Sequence, residues 1–174
     1  MDLKAEASKA ARIADALTVF RDPVAFDIDE INTTIAALNT LSNALRQTDV
    51  RIGASDWHTR AIINDDLRLV YNSVVLTFND IWAILGKLGN GAANPSPYAY
   101  RQTWKEIFLH CRQGRQTLVV RLELYKHFLI GLCEHLARQV MKSAKVVPFL
   151  TMAVTGNLQA NGASSISVMT FAIC

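Results

Sequence analysis

The sequence predicts an all-α protein: a bundle of four to five antiparallel amphipathic helices, followed by an irregular apolar C-terminal tail. Apolar residues recur at three- and four-residue steps through most of residues 1–140, as on one face of a helix. Capping and turn residues separate these periodic stretches. A composition of 51% hydrophobic and 19% charged residues indicates a buried core rather than intrinsic disorder.

The first helix is predicted over residues 2–20, with its charged residues off the apolar face. It ends at Asp22-Pro23, because the residue before a proline is disfavoured in the α region. The apolar face consists of Ala10, Ile13, Ala14, Leu17 and Phe20.

The second helix is predicted to begin at Asp27. An aspartate is a favourable N-cap, and Glu30 three residues later completes the pattern of a capping box. The stripe that follows continues to about Thr48 and consists of Ile28, Ile31, Ile35, Leu38, Leu41 and Leu45.

The third helix begins either at Ser55-Asp56 or at the Asn-Asp-Asp run of residues 64–66, since both offer capping carboxylates. Gly86 and Gly89 mark its end. Its apolar residues follow the spacing of a coiled coil: Leu67, Val70, Val74, Phe78, Ile81, Leu85 and Leu88.

Residues 89–97 are rich in glycine, asparagine, proline and serine, which predicts a loop. The longest apolar pattern then runs from Tyr100 to Gln139, with one gap at Gly114. That gap marks a kink, a close helix contact or a break between two helices. We favour ordinary helix packing, because a single mid-helix glycine is tolerated at a cost of about 1 kcal/mol.

No charged residue follows Lys145. The apolar run there is interrupted at Pro148 and falls short of the roughly 20 residues that cross a bilayer. We therefore predict a helical-bundle domain over residues 1–140 and a tail over residues 141–174 that is either disordered or a consequence of truncation.

No catalytic or nucleotide-binding motif occurs in the sequence, whether HExxH, GxSxG, GxGxxG or a Walker-type phosphate loop. The four histidines, His58, His110, His127 and His135, lack the local spacing of metal ligands. Three widely separated cysteines without a CxxC pair are typical of a reducing compartment. We therefore expect a cytoplasmic protein with no enzymatic activity, cofactor, metal or small-molecule substrate.

Positive charge is concentrated in the second half of the chain. Residues 1–99 contain 9 Lys and Arg against 12 Asp and Glu, whereas residues 100–174 contain 9 against 3. This excess is too small to predict a nucleic-acid binder. The basic residues form either a solvated face or a surface that attracts anionic lipid or an acidic partner. The candidate interaction surface consists of Arg112, Arg115, Arg121, Lys126 and Arg138.

The tryptophans, Trp57, Trp82 and Trp104, lie near the apolar stripes, and we expect them to be packing residues.

The order of these segments resembles a known family. A leucine-rich helix over residues 30–45, a second over residues 67–88, a Gly/Pro/Ser linker and the phrase R-L-E-L-Y-K at residues 121–126 follow one another. This order resembles the fungal N-terminal domain of NLR-like (STAND) proteins, including the azaphilone pigment cluster protein L type, over roughly residues 1–140. In that family the domain precedes a NACHT or NB-ARC module, whose Walker motif this chain lacks.

The resemblance implies a non-enzymatic helical module for signalling or protein-protein interaction, with a protein partner or self-association. Relatives of the HeLo type are membrane-active. A helical domain that binds anionic lipid is therefore the alternative expectation.

Overall fold

The structure, a computed structural model, describes residues 1–89, 95–110 and 117–158. Within these residues the chain forms five α-helices and no β-strand, which confirms the predicted all-α class. A short 3-10 turn, Ala25–Asp27, connects the first two helices. The helices are α1 (Leu3–Thr18), α2 (Ile28–Gly53), α3 (Trp57–Gly89), α4 (Pro97–His110) and α5 (Leu118–Leu158).

The chain divides into two compact units, Met1–Ala137 and Arg138–Cys174. The hydrophobic core described below belongs to the first unit. α5 continues to Leu158, so it extends into the segment that was expected to be irregular. Once a helix has formed, each added residue gains a backbone bond without a new nucleation cost. Residues 159–174 lie outside the described residues, and a domain limit at residue 140 stays a prediction.

α1 and α2 pack antiparallel through small side chains. The carboxylate of Asp2 caps α1 by accepting from the backbone N–H of Ala5 at 2.9 Å. Ala7 and Ala10 are fully buried, which lets the two backbones come close. The hydroxyl of Ser42 on α2 therefore reaches the carbonyl of Ala7 at 2.8 Å.

The start of α2 differs from the prediction at its cap. Asp27 occupies the N-cap position, but its side chain accepts no capping hydrogen bond. The preceding 3-10 turn leaves Asp27 at φ −113° and ψ 21°, outside the β region in which N-cap residues usually lie. Ile28 is 38% exposed, so the buried stripe begins at Ile31.

The structure selects the earlier of the two predicted starts for α3. Asp56 caps the helix by accepting from the backbone N–H of Thr59 at 2.8 Å. The apolar residues predicted for this helix face the core, and Val74 and Phe78 are fully buried. The helix ends at Gly89, as its glycines predicted. α1 packs along one side of α3, and α4 packs near its C-terminal end.

The apolar pattern from Tyr100 to Gln139 forms two helices instead of one. Thr117 lies outside both α4 and α5, so the pattern contains a break, while Gly114 itself lies outside the described residues. The sequence between Cys111 and Thr117 contains no apolar side chain that a continuous helix would bury. The core is completed by Trp104 and Ile107 from α4 and by Leu118, Leu122 and Leu129 from α5.

Candidate interaction surface

The basic residues singled out from the sequence do not share one helix face in the described part of the chain. Arg121 and Lys126 both lie on α5 in the first unit, about 140° apart around the helix axis. Arg138 is exposed and belongs to the second unit. Arg112 and Arg115 lie outside the described residues, so the complete surface stays a prediction.

Arg121 takes part in the contact between α3 and α5. Its Nη1 lies 3.5 Å from the hydroxyl of Thr77, which is 2% exposed. The hydroxyl of Tyr125, one turn further along α5, lies 3.2 Å from the same oxygen and 3.4 Å from the carbonyl of Ser73. Arg121 is therefore half-buried among polar groups that join the two helices.

Lys126 forms an ion pair with Glu123 on its own helix. The Lys126 side chain is only 20% exposed, and the Glu123 carboxylate also lies 4.0 Å from Nδ1 of His127. Because the lysine charge is opposed by a carboxylate at contact distance, this part of α5 presents little net positive charge to a partner.

α3 carries an exposed apolar series that the sequence analysis missed. Ile62, Leu69 and Leu76 are 64%, 69% and 64% exposed and are spaced seven residues apart. This spacing keeps them within about 40° around the helix and along roughly 21 Å of its length. We call these three residues the α3 stripe. The sequence signal that could have predicted the stripe is a second series of apolar residues at seven-residue spacing, beside the buried series.

Negative charge borders the α3 stripe. Asp65 and Asp66 lie between Ile62 and Leu69, are both exposed and form no ion pair within the described part of the chain. Asp80 lies one turn beyond Leu76. The stripe is therefore an apolar row with acidic neighbours.

A groove between α3 and α5 meets the α3 stripe at Leu76. Its volume is about 380 Å³. Leu76 forms one edge of this groove, while Arg121 and Tyr125 lie on the α5 side. Ile62 and Leu69 do not line this groove, so the stripe borders the concave surface only at its Leu76 end.

The tryptophans differ in their environments. Trp104 is 2% exposed, as expected of a packing residue. Trp82 is 37% exposed and has the Arg12 guanidinium 4.8 Å from its ring centroid, a cation–π contact. Trp57 is 79% exposed, so the packing prediction is wrong for this residue. As the first residue of α3, Trp57 precedes the part of the helix that other elements cover.

The titratable groups of the described residues form no metal-ligand cluster, since no three His, Cys, Asp or Glu side chains come together among them. The Sγ of Cys133 lies 3.3 Å from the hydroxyl of Thr48. Hydrogen bonds from the backbone N–H and hydroxyl of Thr59 hold the pKa of Asp56 below its ordinary value. Asp56 is the α3 cap, so this shift has a structural origin.

α3 also has the length and composition of a membrane-spanning helix over Trp57–Leu88, with a mean hydropathy of 1.3 in its most apolar window. Core helices of bundles meet the same criterion. α3 supplies Phe78 and Ile81 to the core, where both are fully buried.

Comparison of the chain with family models, with curated proteins and with solved structures finds no match.

Proposed function

We propose that this protein is a non-enzymatic helical domain for signalling through protein-protein interaction, acting in the cytoplasm. The observation that carries the proposal is the α3 stripe. Single exposed aliphatic residues are ordinary on protein surfaces, whereas an aligned apolar row with a polar border is typical of interaction sites. The resemblance to the N-terminal domain of fungal NLR-like proteins supports the same class of function.

The partner that fits the α3 stripe is a basic amphipathic helix of another protein. Two helices can pair through apolar residues that repeat every seven positions, and Ile62, Leu69 and Leu76 supply such a row on α3. Asp65 and Asp66 would attract lysine or arginine on the flank of that helix. In a parallel pairing, a second copy of this chain on the same stripe would bring these aspartates close to like charges, which disfavours that mode of self-association.

The expected affinity is modest. Full burial of one Leu or Ile side chain is worth about 1.5–3 kcal/mol, and the three residues of the α3 stripe are already partly covered. Association itself costs about 4–15 kcal/mol, so only part of this gain appears as binding free energy.

A designed peptide pair tests the proposal. Both peptides are amphipathic helices of about three heptads with leucine anchors, one flanked by lysine and the other by glutamate. Fluorescence anisotropy is expected to show that the lysine peptide binds and that added salt weakens it. The double variant Leu69→Ser/Leu76→Ser should bind at least about tenfold more weakly, a loss of about 1.4 kcal/mol or more. The control is Val50→Ser, which removes an equally exposed residue from α2.

Equal binding of the two peptides would overturn the preference for a basic partner. Unchanged binding to the double variant would remove the α3 stripe as the docking surface. Sedimentation velocity on the free protein tests whether a second copy of the chain occupies the stripe instead. A dimer that the double variant abolishes would assign the stripe to a second copy of the chain.

The second candidate function is association with anionic membranes. The length and apolar composition of α3 favour it, as does the basic character of the second half of the chain. The Lys126–Glu123 pair counts against it, because it leaves that lysine largely covered. Co-sedimentation with phosphatidylcholine vesicles, with and without phosphatidylserine, separates the two functions. Membrane association is supported if the protein pellets only with vesicles that contain phosphatidylserine and if added salt reduces pelleting. If the protein does not pellet at low salt, membrane association is excluded.

A further inference from the structure

A cavity separate from the α3 stripe lies where the start of α2, the end of α4 and the start of α5 meet. Its volume is about 240 Å³. Two of its walls belong to the core, since Trp104 is 2% exposed and Ile107 is fully buried. The apolar lining consists of Trp104, Ile107, Phe108, Leu118 and Val119.

The polar side chains of this cavity on α2 are hydrogen-bond acceptors. Asp29 and Glu30 line it and are both exposed to solvent. Their carboxylates form no ion pair or hydrogen bond within the described part of the chain. The hydroxyls of Thr33 and Thr34 already donate to the carbonyls of Asp29 and Glu30, at 2.7 and 2.8 Å. The two threonine oxygens therefore have only lone pairs left to offer a ligand.

The electrostatic balance of the site favours a cation. The N-terminus of α2 contributes a positive pole equivalent to about half an elementary charge, which is smaller than the charge of two carboxylates. Among the residues that the structure describes, an anion would therefore meet net repulsion. A bare metal ion would use the carboxylates but leave the apolar walls without a partner, and the described residues bring no third His, Cys, Asp or Glu to this place.

We propose that this cavity binds a small organic amine. The protonated ammonium group is held by Asp29 and Glu30, and an aromatic or aliphatic body fills the space beside Trp104 and Phe108. The volume of about 240 Å³ is below the roughly 300–1,000 Å³ of sites for drug-sized ligands. The ligand is therefore no larger than one ring with a short alkyl arm.

Three probes of nearly equal shape test the charge requirement: 2-phenylethylammonium, the neutral 2-phenylethanol and the anionic 3-phenylpropanoate. Titrations monitored by ligand-observed NMR are expected to show that affinity decreases from the ammonium probe to the alcohol and then to the carboxylate. Asp29→Asn/Glu30→Gln keeps the side-chain shapes and should weaken the ammonium probe about two- to thirtyfold, as expected for the loss of two partly exposed ion pairs. The alcohol should be unaffected.

The matched control is Asp65→Asn/Asp66→Asn, which removes the same charge from the exposed surface of α3 and should leave all three titrations unchanged. A second variant, Val119→Phe, fills the cavity and should abolish binding of the ammonium and the alcohol alike, with folding checked by circular dichroism. Equal binding of the three probes, an equal effect of the two double variants on the ammonium probe, or no ammonium binding at millimolar concentration would each overturn the proposal.

Discussion

The hydroxyl of Ser42 on α2 donates a hydrogen bond of 2.8 Å to the backbone carbonyl of Ala7 on α1. Ser42 is 4% exposed, so this bond lies within the core. It adds a directional contact between two helices that otherwise touch mainly through alanines and large aliphatic side chains.

We expect Ser42→Ala to lower the free energy of unfolding by about 0.5–1.5 kcal/mol, the net value of one buried hydrogen bond. The Ala7 carbonyl keeps its bond within α1, so no acceptor is left unpaired. Urea denaturation measures the change. Ser8→Ala is the control, since the Ser8 hydroxyl is exposed and donates to the Lys4 carbonyl of its own helix. An equal loss in both variants would show that the bond between the helices contributes nothing.

The close approach of α1 and α2 makes Ala10 sensitive to size. Ala10 is fully buried, and we expect Ala10→Leu to destabilise the protein by about 1–3 kcal/mol through overpacking. Ala36→Leu makes the same change on the exposed side of α2 and should be nearly neutral. Thermal unfolding of both variants tests this, and a neutral Ala10→Leu would contradict the close packing.

The core was predictable because the helical period reports which residues share a face. The apolar period predicted that Ile31, Leu38 and Phe78 share the core faces of their helices, and all three are fully buried. The α3 stripe was not predicted. Leu67 and Leu69 have the same chemistry and lie two residues apart, yet the first is 3% and the second 69% exposed. Which of two apolar rows on a helix is covered depends on its neighbours, and these are distant in the sequence.

The cavity was hidden from sequence reasoning for the same reason. Asp29 and Glu30 are indistinguishable in sequence from ordinary carboxylates in the first turn of a helix, where they favour helix formation. Only the packing of α4 and α5 brings Trp104, Phe108 and Leu118 beside them. The failed cap at Asp27 likewise depends on the 3-10 turn before it, which no residue pattern predicted.

Two variants of α3, at positions two residues apart, distinguish the core from the α3 stripe. Phe78→Ala removes a fully buried ring and should cost about 3–5 kcal/mol. Leu76→Ala removes a side chain that is 64% exposed and should change the free energy of unfolding by no more than about 0.5 kcal/mol. Chemical denaturation of the two variants provides the comparison. A large loss for Leu76→Ala would mean that the α3 stripe is covered in the folded protein.

The cap of α3 predicts a pH dependence of stability. The backbone N–H of Thr59, and then its hydroxyl, lower the pKa of Asp56 below the ordinary 3.8, because both donate to the ionised carboxylate. A group whose pKa is lower in the folded state stabilises the fold at a pH above its unfolded pKa. That contribution is lost as the pH falls through the lower, folded pKa.

Asp56→Asn keeps an acceptor for the Thr59 N–H but has no charge to titrate. We expect the wild-type protein to be more stable than this variant at neutral pH, and the difference to disappear as the pH falls below the unfolded pKa and through the folded one. Urea denaturation of both proteins across this range measures the difference directly, because the other carboxylates contribute equally to each. A difference that stays constant at every pH would show that the charge of Asp56 contributes nothing to the cap.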